Sequence, residues 1–385
     1  RSLENPLPFA YITLDRTGGG ARVQYAHRGS WLPRRLHLIV GGDFELQSDD
    51  RAEFSNDNGQ PGTRSRDQTD RVRTIGPFAQ LQYELSPRLA VTLGARYDAV
   101  HFSVDDRFSA DGRDDSGDRT LSAFSPRLAL LYALNPTTSV FGSVATAFQT
   151  PTTTELLNRP PENGQPCCPG GMNEDLEPQR ALNFEAGVKG NVSERLRYEA
   201  VAYQMNVRDA LVPFQLPQVD GREFFRNSGE TRHRGLELAI AVLLTRSVTL
   251  ETAYTYSRFT FIDDGLPAAY EGNELPGVPP HHLFARLRIQ PHRIVTVELE
   301  DEYTAEYFAN DANTASNAAV NVVDARVLLQ LTLSNASLRP FVALNNLTDR
   351  RYHSSVVVNA AGARYYEPAP RRNFYLGASI GFGGW

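Results

Sequence analysis

The links between the predicted strands of this chain alternate between very short and long. The short links are 86–88, 135–138, 191–195, 245–247, 291–293 and 334–337. The links between them are longer and polar: 47–70, 105–120, 150–180, 208–231, 262–280 and 347–371. Short turns on one rim and long loops on the other are typical of an outer-membrane β-barrel, whose short turns face the periplasm.

The predicted strands alternate between apolar and polar residues. In the segment 248–256, Val248 and Leu250 share one face, whereas Glu251 falls on the other. The pattern recurs in the segments 283–289 and 294–303. A period of two over about ten residues is expected of a strand between lipid and a polar lumen. Such strands also explain why the mean hydropathy is only −0.39 and why no run approaches the ~18 apolar residues of a transmembrane helix.

We predict about sixteen strands, an even number, as in bacterial barrels. They are 8–14, 21–28, 34–47, 71–85, 89–104, 122–134, 138–149, 181–190, 195–208, 232–244, 247–261, 281–290, 293–308, 319–333, 337–346 and 372–384. The first hairpin is predicted to turn at 15–20. A soluble β-sandwich also alternates, but its strands are shorter and its tight turns are not confined to one end. The predicted fold class is all-β, a transmembrane antiparallel β-barrel that occupies residues 1–385 as one domain.

Charge and cysteine content limit the function classes. The formal net charge is −6, so a nucleic-acid partner is not expected. The two cysteines, Cys167 and Cys168, are adjacent in a long loop and form a disulfide candidate, although a bond between neighbours is strained. Bonds to cysteines outside this chain are one alternative. A copper site that also uses Met172 is another, because soft sulfur ligands suit Cu(I).

No catalytic motif is present in the chain: it contains no H-E-x-x-H, no G-x-S-x-G and no P-loop. His281 and His282 are neighbours at the entry to a predicted strand. Adjacent residues of a strand point to opposite faces, so the two imidazoles are poorly placed to share a metal ion. We therefore predict a protein that is not an enzyme and that has no metal site and no cofactor.

Five blocks in the second part of the chain combine strand ends with turn residues. They run from Val140 to Leu156, from Asn173 to Gly190, from Arg226 to Glu237, from Leu344 to Tyr352 and from Tyr366 to Gly377. The second block joins Asn173, Leu176 and Pro178 to a strand of E-x-G-x-K-G form. In this order and spacing, the blocks resemble TonB-dependent outer-membrane receptors, the gated importers of Gram-negative bacteria.

The resemblance implies a barrel of about twenty-two strands, an N-terminal plug domain inside it and energy delivered by TonB. This chain has room for about sixteen strands, and no plug or TonB-box segment is visible in it. We therefore expect it to be the C-terminal part of a longer receptor. The family usually ends in phenylalanine, whereas this chain ends in Trp385. The implied partners are TonB (through the absent plug segment), the barrel assembly machinery, lipopolysaccharide and outer-membrane lipid, and a small-molecule ligand such as an iron chelate.

Two sets of residues are candidates for a role in transport. Charged residues predicted to line the lumen are Glu251, Arg286, Arg288, Glu298, Glu300 and Glu302. Candidate ligand contacts near the outer mouth are Tyr270, Tyr307, Phe308, Arg364, Tyr365 and Tyr366. Aromatic faces and guanidinium groups suit a planar or anionic chelate.

The predicted function is active import of a scarce nutrient, above all a ferric siderophore, across the outer membrane of a Gram-negative bacterium. A passive porin of sixteen strands is an alternative that fits the strand count but not the motifs. An outer-membrane barrel enzyme is a second alternative. It would need a nucleophile with a histidine partner at the rim, and no spacing in the chain supports one.

Overall fold

The fold is given by a computed structural model, which describes residues 1–7, 10–29, 34–161, 171–216, 223–263, 270–333 and 336–382. The first eleven strands are β1 Ser2–Leu7, β2 Ala10–Gly29, β3 Leu36–Asp57, β4 Gln60–Ser86, β5 Leu89–Asp106, β6 Gly117–Asn135, β7 Thr138–Gln149, β8 Gln179–Ser193, β9 Leu196–Gln215, β10 Glu223–Thr245 and β11 Val248–Asp263. The others are β12 His281–His292, β13 Val295–Thr304, β14 Tyr307–Phe308, β15 Ser316–Asn317, β16 Val320–Leu329, β17 Leu331–Leu333, β18 Ala336–Asn345, β19 His353–Val356, β20 Tyr366–Pro368 and β21 Asn373–Phe382. The helical elements are α1 Thr153–Leu157 and a 3-10 turn, Ala361–Ala363.

The long strands form one antiparallel sheet in chain order. Each strand from β1 to β13 pairs with the next, after which β13 pairs with β16, β16 with β18, and β18 with β21. The short pairs β14–β15 and β19–β20 lie in two of the long loops. The all-β, antiparallel prediction is confirmed. Among the described residues, no helix has the length and apolarity needed to cross a membrane.

The two faces of the sheet differ in composition. One face, called the outer face, carries a band of exposed apolar side chains; on β10 these include Leu236, Leu238 and Ile240, each more than 40% exposed. The opposite, inner face carries charged residues such as Arg286 and Glu298 and is the face covered by α1. Strand alternation places successive side chains on opposite faces, so the period of two in the sequence becomes this division.

The first predicted hairpin is wrong. The segment 15–20 continues through β2 as a strand, and Asp15 pairs with Asp50 while Gly20 pairs with Glu45. Three consecutive glycines suggested a turn, but at Gly20 a Cβ atom would lie 2.8 Å from the Phe44 carbonyl oxygen. Glycine serves here to allow close approach of the neighbouring strand, which is its other common role.

The predicted long loop 47–70 is also shorter than expected. β3 and β4 continue as a paired hairpin that ends in a tight turn at Asn58 and Gly59, whose φ angles are 56° and 87°. Positive φ at both central positions is the geometry of a type I′ hairpin turn, which asparagine and glycine favour. The polar composition of 47–70 arises because both faces of the strand extension lie beyond the apolar band, not because the chain leaves the sheet.

The described residues of the loop between β7 and β8 pack across the inner face of the sheet, which is called the wall below. Thr152 caps α1, and Glu155 completes the capping box by accepting a hydrogen bond from the Thr152 backbone N–H at 2.6 Å. This helix presents Leu156, which packs with Phe102 and Leu176 in a buried apolar cluster. The loop is thereby fixed against β5 and β6 at their outer ends.

Candidate ligand site at the outer mouth

Three long loops join into one body at the outer mouth, the end of the sheet opposite the short turns. Asp311 in the β13–β16 loop is the centre of this body. Its backbone N–H donates to Asn359 Oδ1 at 3.0 Å, and Asn359 Nδ2 donates back to Asp311 Oδ2 at 2.9 Å. The Asp311 carbonyl also accepts from Asn273 Nδ2 at 2.9 Å. The β11–β12, β13–β16 and β18–β21 loops are therefore tied together through one residue.

A second clasp joins the β11–β12 loop to the β13–β16 loop. Asn313, with a φ of 54°, accepts from the Glu274 backbone N–H at 2.8 Å and donates through Nδ2 to the Glu274 carbonyl at 2.8 Å. Asparagine tolerates the left-handed conformation because its short polar side chain bonds locally. Burial raises the pKa of the Asp311 carboxyl, and the Asn359 hydrogen bond offsets part of that shift. This acid is thus more easily protonated than an ordinary aspartate.

A cavity of about 510 Å³ lies between this loop body and the inner face of the wall. Its apolar lining includes Met205, Val207, Phe261, Leu275, Pro276 and Val358, and its polar lining includes Gln179, Thr231, His233, Asp311 and Asn359. On the wall side, the His233 ring stacks on Phe259 with centroids 4.2 Å apart. A mostly apolar cavity with a few converging polar groups is the usual form of a small-molecule site.

The structure brings two of the six candidate ligand residues, Tyr307 and Tyr366, into a single junction of loop residues. Tyr307 Oη accepts from Asn317 Nδ2 at 2.9 Å, and Asn317 Oδ1 lies 3.0 Å from His353 Nδ1. The His353 ring stacks on Tyr366 at 4.7 Å, and the Tyr366 hydroxyl donates to the Ser316 carbonyl at 2.8 Å. The junction links the two small hairpins β14–β15 and β19–β20.

The other four candidates surround this junction or lie apart from it. Tyr365 contacts Tyr366 edge-on at 5.9 Å, and Tyr270 packs against the cavity residue Phe261 at 6.4 Å. The Phe308 carbonyl accepts from the Gly277 N–H at 2.8 Å, so its backbone closes the loop body. Arg364 is exposed at the end of the 3-10 turn and lies apart from the junction. That these residues contact a ligand stays a prediction.

Sequence reasoning missed Asn317, His353, Asp311 and Asn359, which carry the loop-to-loop contacts. All four are polar residues within long loops. Asparagine and aspartate are common in loops for local turn reasons, so their presence gives no sign of which of them meet across loops. Which loop residues contact one another depends on which strands become neighbours in the sheet, and the sequence indicated that order only in part.

The predicted lumen residues lie on the inner face of β11–β13, and five of the six are paired with one another. Arg286 contacts Glu300 at 2.8 Å and Glu251 at 3.4 Å. Arg288 contacts Glu298 at 2.8 Å, and Arg326 on β16 approaches Glu298 at 3.8 Å. Glu302 contacts His282 at 2.9 Å. The six charges therefore belong to a ladder of ion pairs across four strands, called the wall network below.

The two neighbouring histidines face opposite sides, as expected. His281 Nδ1 lies 2.8 Å from the hydroxyl of Tyr254 on the outer face, whereas His282 faces Glu302 on the inner face. Over the described part of the chain, no cluster of three or more metal-binding side chains occurs. Cys167 and Cys168 lie outside the described residues, so the disulfide and copper predictions stay predictions.

The sequence profile of the TonB dependent receptor-like β-barrel family matches residues 5–347. The chain belongs to this family. Membership confirms the recognised family, the transmembrane barrel fold and the outer-membrane localisation that the turn asymmetry predicted.

Named relatives and solved structures agree with this family. The chain is 25% identical over 292 residues to the iron-regulated outer membrane virulence protein of Vibrio cholerae, covering 72% of this chain and 42% of that protein. It is 27% identical over 293 residues to the ferrioxamine B receptor of Salmonella typhimurium, covering 73% and 37%. The structure of the unliganded ferric citrate transporter FecA matches with a TM-score of 0.78 at 18% identity, over 98% of this chain and 57% of that one. The chain thus spans about two fifths of the length of these curated relatives.

Proposed function

We propose that this chain forms the wall and outer mouth of a TonB-energised receptor that imports a scarce nutrient, a ferric siderophore above all. Family membership supports transport across the outer membrane. The printed names of two relatives, an iron-regulated outer membrane protein and a ferrioxamine B receptor, support iron as the cargo. Members of one fold carry different ligands, so the identity of the chelate depends on the site and not on the fold.

The observation that carries the proposal is the cavity beneath the joined loops. Its lining combines apolar and aromatic surface with the hydrogen-bonding groups of Gln179, Asn359 and His233. A metal chelate presents an apolar or aromatic rim together with oxygen atoms around the ion. Such a ligand would pack on Phe261 and Met205 and would bond to the amides.

In the proposed mechanism, the loops capture the chelate and the wall holds the loops. The aromatic junction of Tyr307, His353 and Tyr366 sets the position of two small hairpins, and Asp311 ties three loops together. The wall network keeps the inner face polar while its charges compensate one another. We assign no covalent chemistry to these residues, so the chain is not an enzyme in this proposal.

The proposed partners are TonB, the barrel assembly machinery that inserts the wall, lipopolysaccharide around the wall and the metal chelate in the mouth. TonB would supply the energy for import, because accumulating a scarce ligand against its concentration gradient requires work. This coupling to an energy source is the feature that separates a gated receptor from a pore.

The test is binding of ferric chelates to the full-length receptor, purified from outer membranes. Titration calorimetry is run with ferric hydroxamate, catecholate and carboxylate siderophores. One ferric class is expected to bind with submicromolar affinity. The other two classes, and the iron-free form of the class that binds, are expected not to bind. Replacement of Met205 and Phe261 by Ala is expected to weaken that binding at least tenfold. Binding of no chelate class would overturn the choice of cargo. Conductance through the purified protein without any ligand binding would favour the passive porin.

A further inference from the structure

Two of the three loops that form the body at the outer mouth are acidic. The segments 262–280 and 305–319, which include the β11–β12 and β13–β16 loops, contain no lysine, arginine or histidine. Their acidic residues are Asp263, Asp264, Glu271, Glu274, Glu306 and Asp311. The β18–β21 loop contains arginines, but the residues that it contributes to the cavity are the uncharged Val358 and Asn359. The loops above the cavity therefore favour a ligand without negative charge.

The described lining of the cavity itself offers one carboxylate and no guanidinium group. The carboxylate is Asp311. Arg180 also borders the cavity, but strand alternation places its side chain on the outer face, as it does for Leu182 and Phe184. His233 has no carboxylate partner in the described structure, and such an imidazole is mostly uncharged at neutral pH. A ligand in the cavity therefore meets a negative charge and no compensating cation.

Two polar atoms of the lining have unused hydrogen-bonding capacity. Asp311 Oδ2 accepts from Asn359 Nδ2 at 2.9 Å, whereas no hydrogen bond within the described structure engages Asp311 Oδ1. His233 Nε2 lies 3.0 Å from Thr231 Oγ1, whereas Nδ1 is buried and has no hydrogen-bond partner among the described residues. A buried polar atom without a partner costs free energy. A ligand that bonds to these two atoms would remove that cost.

These charges separate the chemical classes of ferric chelate. Catecholate groups carry two negative charges each, so three of them leave the ferric complex strongly anionic. Hydroxamate groups carry one negative charge each, so three of them cancel the charge of the ferric ion. Burying an uncompensated anion in a mostly apolar cavity is costly, and Asp311 would add repulsion. A ferric tris-hydroxamate avoids both costs.

We propose that the cavity is selective for ferric tris-hydroxamates and that Asp311 pairs with an ammonium group on the chelate. This inference rests on the proposed function, because it names the chelate class for the same site. The methylene linkers between the hydroxamates pack on Met205 and Phe261. The Thr231 hydroxyl donates to His233 Nε2, which leaves the ring proton on Nδ1 for a hydroxamate oxygen.

The experiment titrates the full-length receptor with three ferric chelates by calorimetry. They are a linear tris-hydroxamate with a terminal ammonium group, its N-acetylated form, which lacks that charge, and a tricatecholate. The variant is Asp311→Asn, which keeps an oxygen that can accept from Asn359 Nδ2. The matched control is Glu306→Gln, an exposed acid of the same loop that contacts Ser316 and lies outside the described lining of the cavity. Heat-modifiable migration on gels establishes that each barrel is folded.

The wild type is expected to bind both hydroxamates at least about a hundredfold more tightly than the tricatecholate. It is expected to bind the ammonium form about fivefold more tightly than the acetylated form. Asp311→Asn should lose this preference and should bind the acetylated form as the wild type does. Glu306→Gln should keep the preference.

The possible failures are distinguishable. Tighter binding of the tricatecholate would overturn the inference and leave the proposed import of a ferric chelate intact. Equal affinity of the wild type for the two hydroxamates would overturn the pairing with Asp311 without any variant, as would a preference that persists in folded Asp311→Asn. Binding of no ferric chelate would overturn both the inference and the proposed function on which it rests.

Discussion

The middle of the wall and the outer mouth of this receptor use charge in different ways. In the wall network, Arg286 is shared by Glu251 and Glu300, so cations and anions compensate each other. In the mouth, Asp311 is bonded to the neutral amide of Asn359, and no cation of the described residues lies within ion-pair distance of it. The difference indicates that the charges of the wall hold strands together, whereas the polar groups of the mouth remain available to form hydrogen bonds with a ligand.

The largest expected effect is on stability, and it comes from the wall. The Glu298 side chain is only 8% exposed and faces Arg288 and Arg326. Replacing Glu298 by Gln leaves two arginines facing each other, at a cost of about 1–2 kcal/mol because both are partly solvated. The thermal midpoint of the heat-modifiable barrel measures this loss.

The matched control for that variant is Glu302→Gln. Glu302 is 57% exposed and pairs with a partly exposed histidine, so its loss is expected to lie within experimental error of wild type. Ligand affinity should be unchanged in both variants. If Glu298→Gln binds the ligand more weakly but keeps the wild-type thermal midpoint, the wall contacts the ligand and the proposed division between wall and mouth is wrong.

The next effect is on binding, and it comes from the mouth. Replacing Tyr365 and Tyr366 together by Ala removes the stack on His353 and the hydroxyl bond to the Ser316 carbonyl. We expect roughly tenfold weaker ligand binding and weaker uptake, with barrel assembly intact. Titration with the ferric chelate and heat-modifiable migration measure the two properties.

The control for the tyrosine pair is Tyr25→Ala with Tyr132→Ala, two tyrosines exposed on the strands of the sheet away from the mouth. That variant is expected to keep wild-type affinity. If the affinity of the Tyr365 and Tyr366 variant is also unchanged, the two tyrosines are not part of the ligand site and contribute only to loop packing.

A smaller effect concerns pH. Burial raises the pKa of Asp311, so the joined loops bind this proton more tightly than the separated loops do. Its contribution to loop stability is complete below the ordinary carboxyl pKa of about 4 and is lost as the pH rises through the raised value. The protection factors of the amides in the segment 305–319, which compare each observed exchange rate with the intrinsic rate at the same pH, are therefore expected to be higher at pH 4 than at pH 7. Asp311→Asn should remove this difference, and a difference that persists would assign it to another group.

The smallest effect extends the comparison to the outer face. Arg258→Glu places an acid opposite Arg234, so the sheet should gain about 0.5 kcal/mol in neutral detergent. The thermal midpoint of the heat-modifiable barrel measures this gain. A lower midpoint than that of the wild type would mean that the two side chains do not attract each other across the strands.

Sequence reasoning predicted the wall better than the mouth. Alternation placed Glu251, Arg286 and Glu298 on one face, because a strand forces this from local spacing alone. The glycines at 18–20 misled it, since a turn and a close strand contact demand the same residue. The contact between Asp311 and Asn359 joins residues 48 positions apart in two loops, and no local pattern encodes such a meeting.

The most direct test of gated import is uptake of ⁵⁵Fe-labelled siderophore by cells that produce the full-length receptor. Gated import should give accumulation that saturates with ligand, stops with a protonophore and is absent in a strain without TonB. A parallel culture that produces the Tyr365→Ala, Tyr366→Ala variant serves as the control for weakened binding. Uptake that rises linearly with concentration and persists without TonB would rule out gated import and would identify the protein as a passive pore.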